Sequence, residues 1–217
     1  MAKIKKKVIT VKIAIIGATG NAGSAITTEA VKRGHEVTAF VHSDTNISGI
    51  ATITKDVFAL TLADVKDFDV IINTFANHKQ PELILDAATH LIHILRGTPV
   101  RAIFMLGAAS LINTTGRQLL EDLKQLPESA AWINEPQHGF YELTFLSWVK
   151  DVNWIGFSPQ SNFLVGEPTA YMLTQGKIVE DAAGQSHVTT GNMALAVLDE
   201  LETPTTNQSR LSVSDAF

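Results

Sequence analysis

Val11-Lys12-Ile13-Ala14-Ile15-Ile16 runs directly into Gly17-Ala18-Thr19-Gly20-Asn21-Ala22-Gly23, and this junction constrains the chain more than any other stretch. The apolar run reads as a short buried strand, and the glycine-spaced stretch as a turn that opens a helix. Glycines at 17, 20 and 23 carry no Cβ, so the turn can be tight and a pyrophosphate can approach main-chain N–H groups. The helix that follows aims its unpaired N-terminal N–H groups and the positive end of its dipole at such an anion. Glycines cluster in many loops, so the triplet needs its context. Here Gly34-His35-Glu36-Val37-Thr38-Ala39-Phe40-Val41 follows the predicted helix Ala22–Arg33 and completes a βαβ start. The junction reads as a dinucleotide-binding turn.

The rest of the composition narrows the class. With 217 residues, 45 % of them apolar and 18 % charged, the chain can bury a full core as one domain. A net charge of −5 argues against a nucleic-acid partner, because no broad basic surface is on hand to neutralise phosphates. Lys3, Lys5, Lys6 and Lys7 form the one basic cluster, read as a flexible, solvated arm over residues 1–10. The apolar run behind them is interrupted by Lys12 and committed to the first strand, so it does not read as a signal peptide, and no segment has the length of a membrane span. Cysteine is absent, which removes disulfides, thiolate nucleophiles and thiolate metal sites. A cytoplasmic location is the expectation.

Further along, Ile50–Lys55 is a β-branched run ending at Asp56, and a short amphipathic stretch passes Leu62 and Val65. Asp69-Val70-Ile71-Ile72-Asn73-Thr74 is an apolar strand of the kind buried on both faces of a parallel sheet. Pro81 opens a helix with the stripe Leu83, Ala87, Leu91 and Ile94, and Gly97 closes it. Arg101–Leu106 is the fifth strand. An irregular segment broken by Pro127 and Pro136 comes next, then a helix over Gln137–Lys150 and a sixth strand, Trp154–Ser158. Thr190 caps a last helix, Gly191–Glu202, and Leu211-Ser212-Val213 adds a final strand.

Strands alternating with helices predict an α/β fold: a Rossmann-type doubly wound parallel sheet as a single domain over residues 11–217. The loop-rich residues 158–217 are expected to form a small C-terminal lobe on the substrate side, not an independent domain. In such sheets ligands bind outside the carboxyl ends of the strands. That rule selects Gly17–Gly23, Val41–Asp44, Asp56–Phe58, Asn73–Asn77, Leu106–Leu111 and Ser158–Phe163.

Taken together, Ile16–Gly23, Gly34–Val37, Asp56-Val57-Phe58, Trp154–Pro159 and Ala196–Glu202 resemble the atypical (extended-like) short-chain dehydrogenase/reductase superfamily. Within it the chain is similar to the NAD(P)H-binding proteins called NADH-flavin reductase-like, neighbours of the NmrA-like proteins, from Lys12 to about Val213. The resemblance implies that Thr19, Gly20, Asn21 and Ala22, on the turn opened by Gly17, hold the pyrophosphate. Asp56 and Val57 would lie against the adenine, Phe75 and Ala76 along its ribose, and Leu106, Gly107 and Pro159 would frame the nicotinamide. Helix-mediated homodimers are common in that superfamily, and a monomer is equally consistent with these residues.

Two departures bear on chemistry. An enzyme preferring NAD usually ends its second strand on a carboxylate that binds the ribose 2′-hydroxyl. Here the strand ends Phe40-Val41-His42-Ser43, with no carboxylate before Asp44, and His42 and Ser43 can donate to a 2′-phosphate. The expectation is NADP in preference to NAD. The superfamily's dehydrogenases also use a Tyr-x-x-x-Lys pair, and here Tyr141 is followed four residues on by Phe145 and Tyr171 by Gln175. Alcohol oxidation and sugar epimerisation by that relay are therefore not expected.

Hydride transfer to a flavin survives the loss, because the two ring systems carry the chemistry and FMN or FAD would enter as substrate. The expected activity is an NAD(P)H-dependent reductase of a small flavin- or quinone-like acceptor. Ser110 is the candidate to orient nicotinamide or substrate, with Gln160, Asn162 and Phe163 on the acceptor side. The alternative is a non-catalytic NAD(P)-sensing regulator of NmrA-like type. Asp86, His90 and His93 share a helical face at metal-ligand spacing but lie opposite the apolar stripe, so a solvated or dimer-facing surface is expected and no metal.

Overall fold

A computed structural model describes residues 10–217. The basic cluster of the predicted arm, Lys3 to Lys7, lies outside them.

The chain runs β1 (Lys12–Ile16), α1 (Asn21–Lys32), β2 (Glu36–Val41), β3 (Ala51–Thr54), α2 (Leu62–Val65), β4 (Val70–Asn73), α3 (Glu82–Leu95) and β5 (Arg101–Met105). It continues through α4 (Leu119–Leu123), α5 (Asn134–Trp148), β6 (Trp154–Ser158), β7 (Asn162–Leu164), β8 (Tyr171–Leu173), β9 (His187–Thr189), α6 (Thr190–Glu202) and β10 (Ser209–Asp215). An eight-stranded sheet orders them β3-β2-β1-β4-β5-β6-β10-β8, parallel except for the last pair. The chain therefore winds outward in both directions from β1, leaving a crevice at the carboxyl ends of β1 and β4. β1 is central, with Ile13 paired to Val37 on one side and Val70 on the other.

Because side chains alternate across a strand, β1 feeds two cores. Ile13 and Ile15 face Ile26 and Ala30 of α1 and Val197 and Leu198 of α6. Ala14 and Ile16 face the other layer, with Leu91 and Ile92 of α3 and Leu146 of α5. Arg33 ties the first layer together at its rim, reaching Glu29 at 2.9 Å and Asp199 of α6 at 2.7 Å. Among the described residues no helix is long and apolar enough to cross a membrane.

Three expectations need adjustment. The helix placed at Gln137–Lys150 starts at Asn134 and runs through Pro136. Proline is tolerated there because the first helical N–H groups have no intrahelical acceptor. The last helix is capped one residue earlier than expected, by Thr189, whose hydroxyl accepts from the Asn192 N–H at 3.2 Å. The final strand is also longer than Leu211–Val213. Its first half pairs parallel with β6 (Ser209 to Ile155) and its second half antiparallel with β8 (Asp215 to Tyr171). A two-stranded parallel ribbon, β7 with β9, completes the C-terminal lobe.

Candidate functional site

The turn after β1 is shaped by close contacts that leave no room for a side chain at Gly17 or Gly23. Gly17 has φ +80°, and a Cβ there would stand 2.8 Å from Thr74 Oγ1. A Cβ at Gly23 would stand 2.2 Å from the Gly17 carbonyl oxygen. Thr74, just past β4, pins the turn by donating its hydroxyl to the carbonyl oxygens of Ile16 at 2.8 Å and Gly17 at 3.1 Å. Gly20 is the N-cap of α1, and a Cβ there would meet only the Gly17 carbonyl, at 3.4 Å.

No side chain caps α1, and its first turn holds no acidic residue. Its leading N–H groups and the positive end of its dipole therefore face outward without a protein acceptor. That is the arrangement an anion completes.

This helix end opens into a cleft of about 870 Å³ along the carboxyl edge of the sheet. The volume lies within the range of small-molecule and cofactor sites. Gly17, Thr19, Gly20, Asn21 and Ala22 line one part of it, and His42, Asp56, Val57, Phe75 and Ala76 line it as well. Leu106, Gly107, Pro159 and Phe163 also face the cleft, so the fold brings these sequence-selected residues onto one surface. Asp56 caps a short 3₁₀ turn, accepting from the Phe58 N–H at 2.8 Å, and the Phe58 and Phe75 rings meet edge to face at 5.9 Å.

Four selected residues stand off that surface. Gln160 is fully buried and its amide is spent on the lobe, donating to Thr174 Oγ1 at 3.1 Å and accepting from Ser186 Oγ at 2.8 Å and the Val179 N–H at 3.1 Å. The side chain organises the loop beneath the cleft and has no donor or acceptor turned towards it. Ser110 is buried and takes a hydrogen bond from Arg210 Nη1 at 3.1 Å, outside the lining. Asn162 is exposed at the start of β7, and Ser43 is exposed with its hydroxyl 3.4 Å from that of Thr45. His90, expected on the solvated face of α3, is partly buried with Nε2 2.9 Å from the Leu60 carbonyl oxygen.

Besides Glu135, which pairs with His78, two charged residues of the lining escaped the sequence reading. Lys55 follows β3, and its N–H donates to the Val41 carbonyl at 2.8 Å, which sets it beside His42. Its ammonium lies 2.6 Å from Asp64 and, with hydrogen bonds from Thr61, draws that carboxyl down to about 2. The signal for Lys55 is strand adjacency, which a single sequence does not display.

Glu142 is the second. On α5 and its C-cap the residues Gly139, Glu142, Leu146 and Val149 recur at the helical spacing of a core-facing stripe. All are buried, and Glu142 is a carboxylic acid where the pattern calls for an apolar residue. A signal was present here: a lone acid on an apolar stripe.

Neither tyrosine enters the cleft. Tyr141 is 40 % exposed on α5, with its hydroxyl against Gln137 Nε2. The Tyr171 hydroxyl donates to Asp199 at 2.7 Å on the far side of the lobe.

An uncapped helix behind a glycine turn, at the crevice of a doubly wound sheet, defines a dinucleotide-binding protein. The chain belongs to the NAD(P)H-binding family, which it matches over residues 17–204. It is 35 % identical over 209 residues to the protein YwnB of Bacillus subtilis (strain 168), covering 93 % of this chain and 97 % of YwnB. A Lactobacillus casei protein of known crystal structure is 41 % identical and superposes with a TM-score of 0.88, covering 95 % of this chain and all of that one (100 %). SP1627 of Streptococcus pneumoniae TIGR4, described as a proposed NADH-flavin reductase, is 33 % identical with a TM-score of 0.86, covering 95 % of this chain and 100 % of its own. These likenesses agree with the resemblance to the atypical short-chain dehydrogenase/reductase superfamily.

Proposed function

We propose that the protein is an NAD(P)H-dependent oxidoreductase that passes hydride to a flavin- or quinone-like acceptor, with NADP preferred. One observation carries the reading. The cleft that begins at the uncapped end of α1 is also lined by the apolar side chains of Leu119, Leu123, Trp132, Pro159 and Phe163. Such side chains suit a planar ring system beside the nicotinamide, and the lining holds no tyrosine–lysine relay for alcohol chemistry.

In this reading Thr19, Gly20, Asn21 and Ala22 hold the pyrophosphate, the unpaired N–H groups of the first turn of α1 donating to it while Gly20, whose N–H is spent on the Gly17 carbonyl at 3.0 Å, leaves the approach open. Asp56, Val57, Phe75 and Ala76 bind the adenosine half, and Leu106, Gly107 and Pro159 bind the nicotinamide half. The bound dinucleotide supplies the hydride, and the protein orients the two rings and keeps water from between them. The NADP preference is supported by His42 and Lys55, both on the lining where a 2′-phosphate would sit, and by the absence of a carboxylate at the end of β2. The SP1627 description favours the same reaction class.

The test is oxidation of NADPH by the purified protein with FMN and with the quinone menadione, with NADH run alongside. Saturable turnover that favours NADPH is expected. Tight cofactor binding without turnover on either acceptor would replace the reductase by a dinucleotide sensor.

A further inference from the structure

The Glu142 side chain occupies an unusual position for an acid. It lies on the buried stripe of α5, is 2 % exposed, and belongs to the lining of the cleft together with Gly107 and Gly139. The helix comes close to the chain after β5 at this level: a Cβ on Gly139 would be 3.8 Å from Gly107 N. Among the described residues Glu142 has no side-chain hydrogen bond and no ion pair. The enclosed polar side-chain atoms that lack a partner are Thr27 Oγ1 and Thr52 Oγ1, and the Glu142 oxygens are not among them. Glu142 thus combines an unpartnered carboxyl with a place on the lining of the cleft.

The surrounding charges do not neutralise it. On the lining, Lys55 is held by Asp64, and His78 Nδ1 lies 2.8 Å from Glu135. The other titratable groups there are His42 and Asp56. The helices packed against α5 bring Glu82, Asp86, His90 and His93 from α3, and Glu121 and Asp122 from α4. None of them is bonded to Glu142. Desolvation alone acts on the carboxyl and raises it well above the usual carboxylate range, which disfavours its charged form.

From this placement we infer that Glu142 is the proton donor of the reduction, delivering its carboxyl proton to the acceptor in the cleft. The inference rests on the reductase reading above. The acceptor takes a hydride from the reduced dinucleotide at one atom. It takes the Glu142 proton at the oxygen or nitrogen where negative charge would otherwise build. The dinucleotide is left oxidised, and the Glu142 carboxylate recovers a proton from water. A buried acid whose charged form is disfavoured is suited to that task, and general acid catalysis contributes about 10²–10⁴-fold to rate. A quinone, whose oxygens gain charge during reduction, is the most demanding probe of it.

The experiment compares the wild type with Glu142→Gln, which preserves size and can donate a hydrogen bond but cannot transfer a proton. Thermal melting checks that both are folded. Infrared difference spectra of the two proteins without cofactor, recorded across pH, read the protonation of Glu142 independently of turnover. NADPH binding and single-turnover reduction of menadione follow. We expect a protonated-carboxyl band at neutral pH in the wild type that is missing from the variant. NADPH affinity should agree within about threefold, and the variant's reduction rate should be lower by about 100-fold or more. The wild-type rate should fall as pH rises through the Glu142 titration, and the variant's should not.

Three results overturn the inference while leaving a reductase. These are an ionised Glu142 in the infrared spectra, an undiminished rate in Glu142→Gln, or a loss confined to NADPH affinity. A wild type inert towards both menadione and FMN removes the reductase reading and the proton donor with it.

Discussion

The carbonyl oxygen of Gly17 lies where a Cβ of Gly23 would need to be, at a separation of 2.2 Å. No rearrangement short of moving the β1–α1 turn can relieve such a contact. Gly20 differs, because a Cβ there would meet the same oxygen at 3.4 Å and nothing else. The two glycines should therefore fail in different ways. Gly23→Ala should lower the melting temperature by several degrees, on the scale of the roughly 1–3 kcal/mol that overpacking costs. Gly20→Val should melt nearly as the wild type does yet lose most NADPH affinity, because its side chain would fill the approach to the α1 N–H groups. Melting curves beside cofactor titrations separate these outcomes. Intact NADPH binding in Gly20→Val would remove the pyrophosphate assignment.

The end of β2 should set the choice between the two cofactors. His42 and Lys55 face the same part of the cleft, and no carboxylate stands between them on the β2 side. His42→Asp introduces the group that repels a 2′-phosphate and accepts from a 2′-hydroxyl. It should shift the ratio of NADPH to NADH affinity towards NADH by about tenfold or more. Lys55→Ala should weaken NADPH binding and leave NADH binding nearly unchanged. Equal losses for both cofactors would move the 2′ position elsewhere.

Arg101 of β5 and Glu200 of α6 form a buried pair, with Nη2 2.7 Å from Oε1 and side chains 9 % and 4 % exposed. Arg101 also donates to the carbonyl oxygens of Glu200 and Thr206, and Glu200 accepts from Thr205. Burial would raise the Glu200 carboxyl, but hydrogen bonds from Thr205 and Arg101 outweigh it and leave the group below its ordinary range. Its contribution is therefore present above the unfolded-state value and is lost as pH falls through the lowered one. Arg101→Met strands a buried carboxylate and should cost about 3–5 kcal/mol near neutral pH, roughly 6–20 °C in Tm for a chain of this size. Adding Glu200→Leu should recover much of that loss. A double variant no better than the single one would show that the Thr205 and Thr206 contacts dominate.

Glu142 carries the opposite sign. Its carboxyl is raised in the folded state, so the fold binds a proton more tightly than the unfolded chain does. Stability from this group is full below the unfolded-state value and declines as pH rises towards the raised one. Glu142→Leu should melt above the wild type at pH 8, with the gap narrowing at pH 5. A gap that is constant with pH would show that the carboxyl does not titrate between the two.

Much of this architecture is written locally. The strand of Ile13, Ile15 and Ile16, the glycine turn and the helix from Asn21 follow from propensity and steric need within a few residues, and the crevice follows from strand alternation. The cofactor class is legible for the same reason, because anion binding uses backbone groups that glycine exposes. What escaped depends on contacts between distant residues. Lys55 reaches the cleft through the pairing of β2 with β3. Gln160 leaves it because Thr174, Val179 and Ser186 claim its amide, and three-residue strands such as β7 and β9 exist only through each other. Glu142 was within reach of a periodicity argument, since an acid at the spacing of Gly139, Leu146 and Val149 breaks the pattern of its own helix.

β10 enters two pairings within seven residues, parallel to β6 and then antiparallel to β8. Asp215 at its end also holds β9, accepting from the Thr189 N–H at 3.0 Å and lying 2.8 Å from His187 Nδ1. The lobe that carries Phe163 is thus spliced into the central ladder instead of hanging from a linker. Its backbone amides cannot open to solvent exchange as a separate cooperative unit without breaking hydrogen bonds of the main sheet. The two sides of the cleft are accordingly expected to share one unfolding transition, so that damage to either is felt by both.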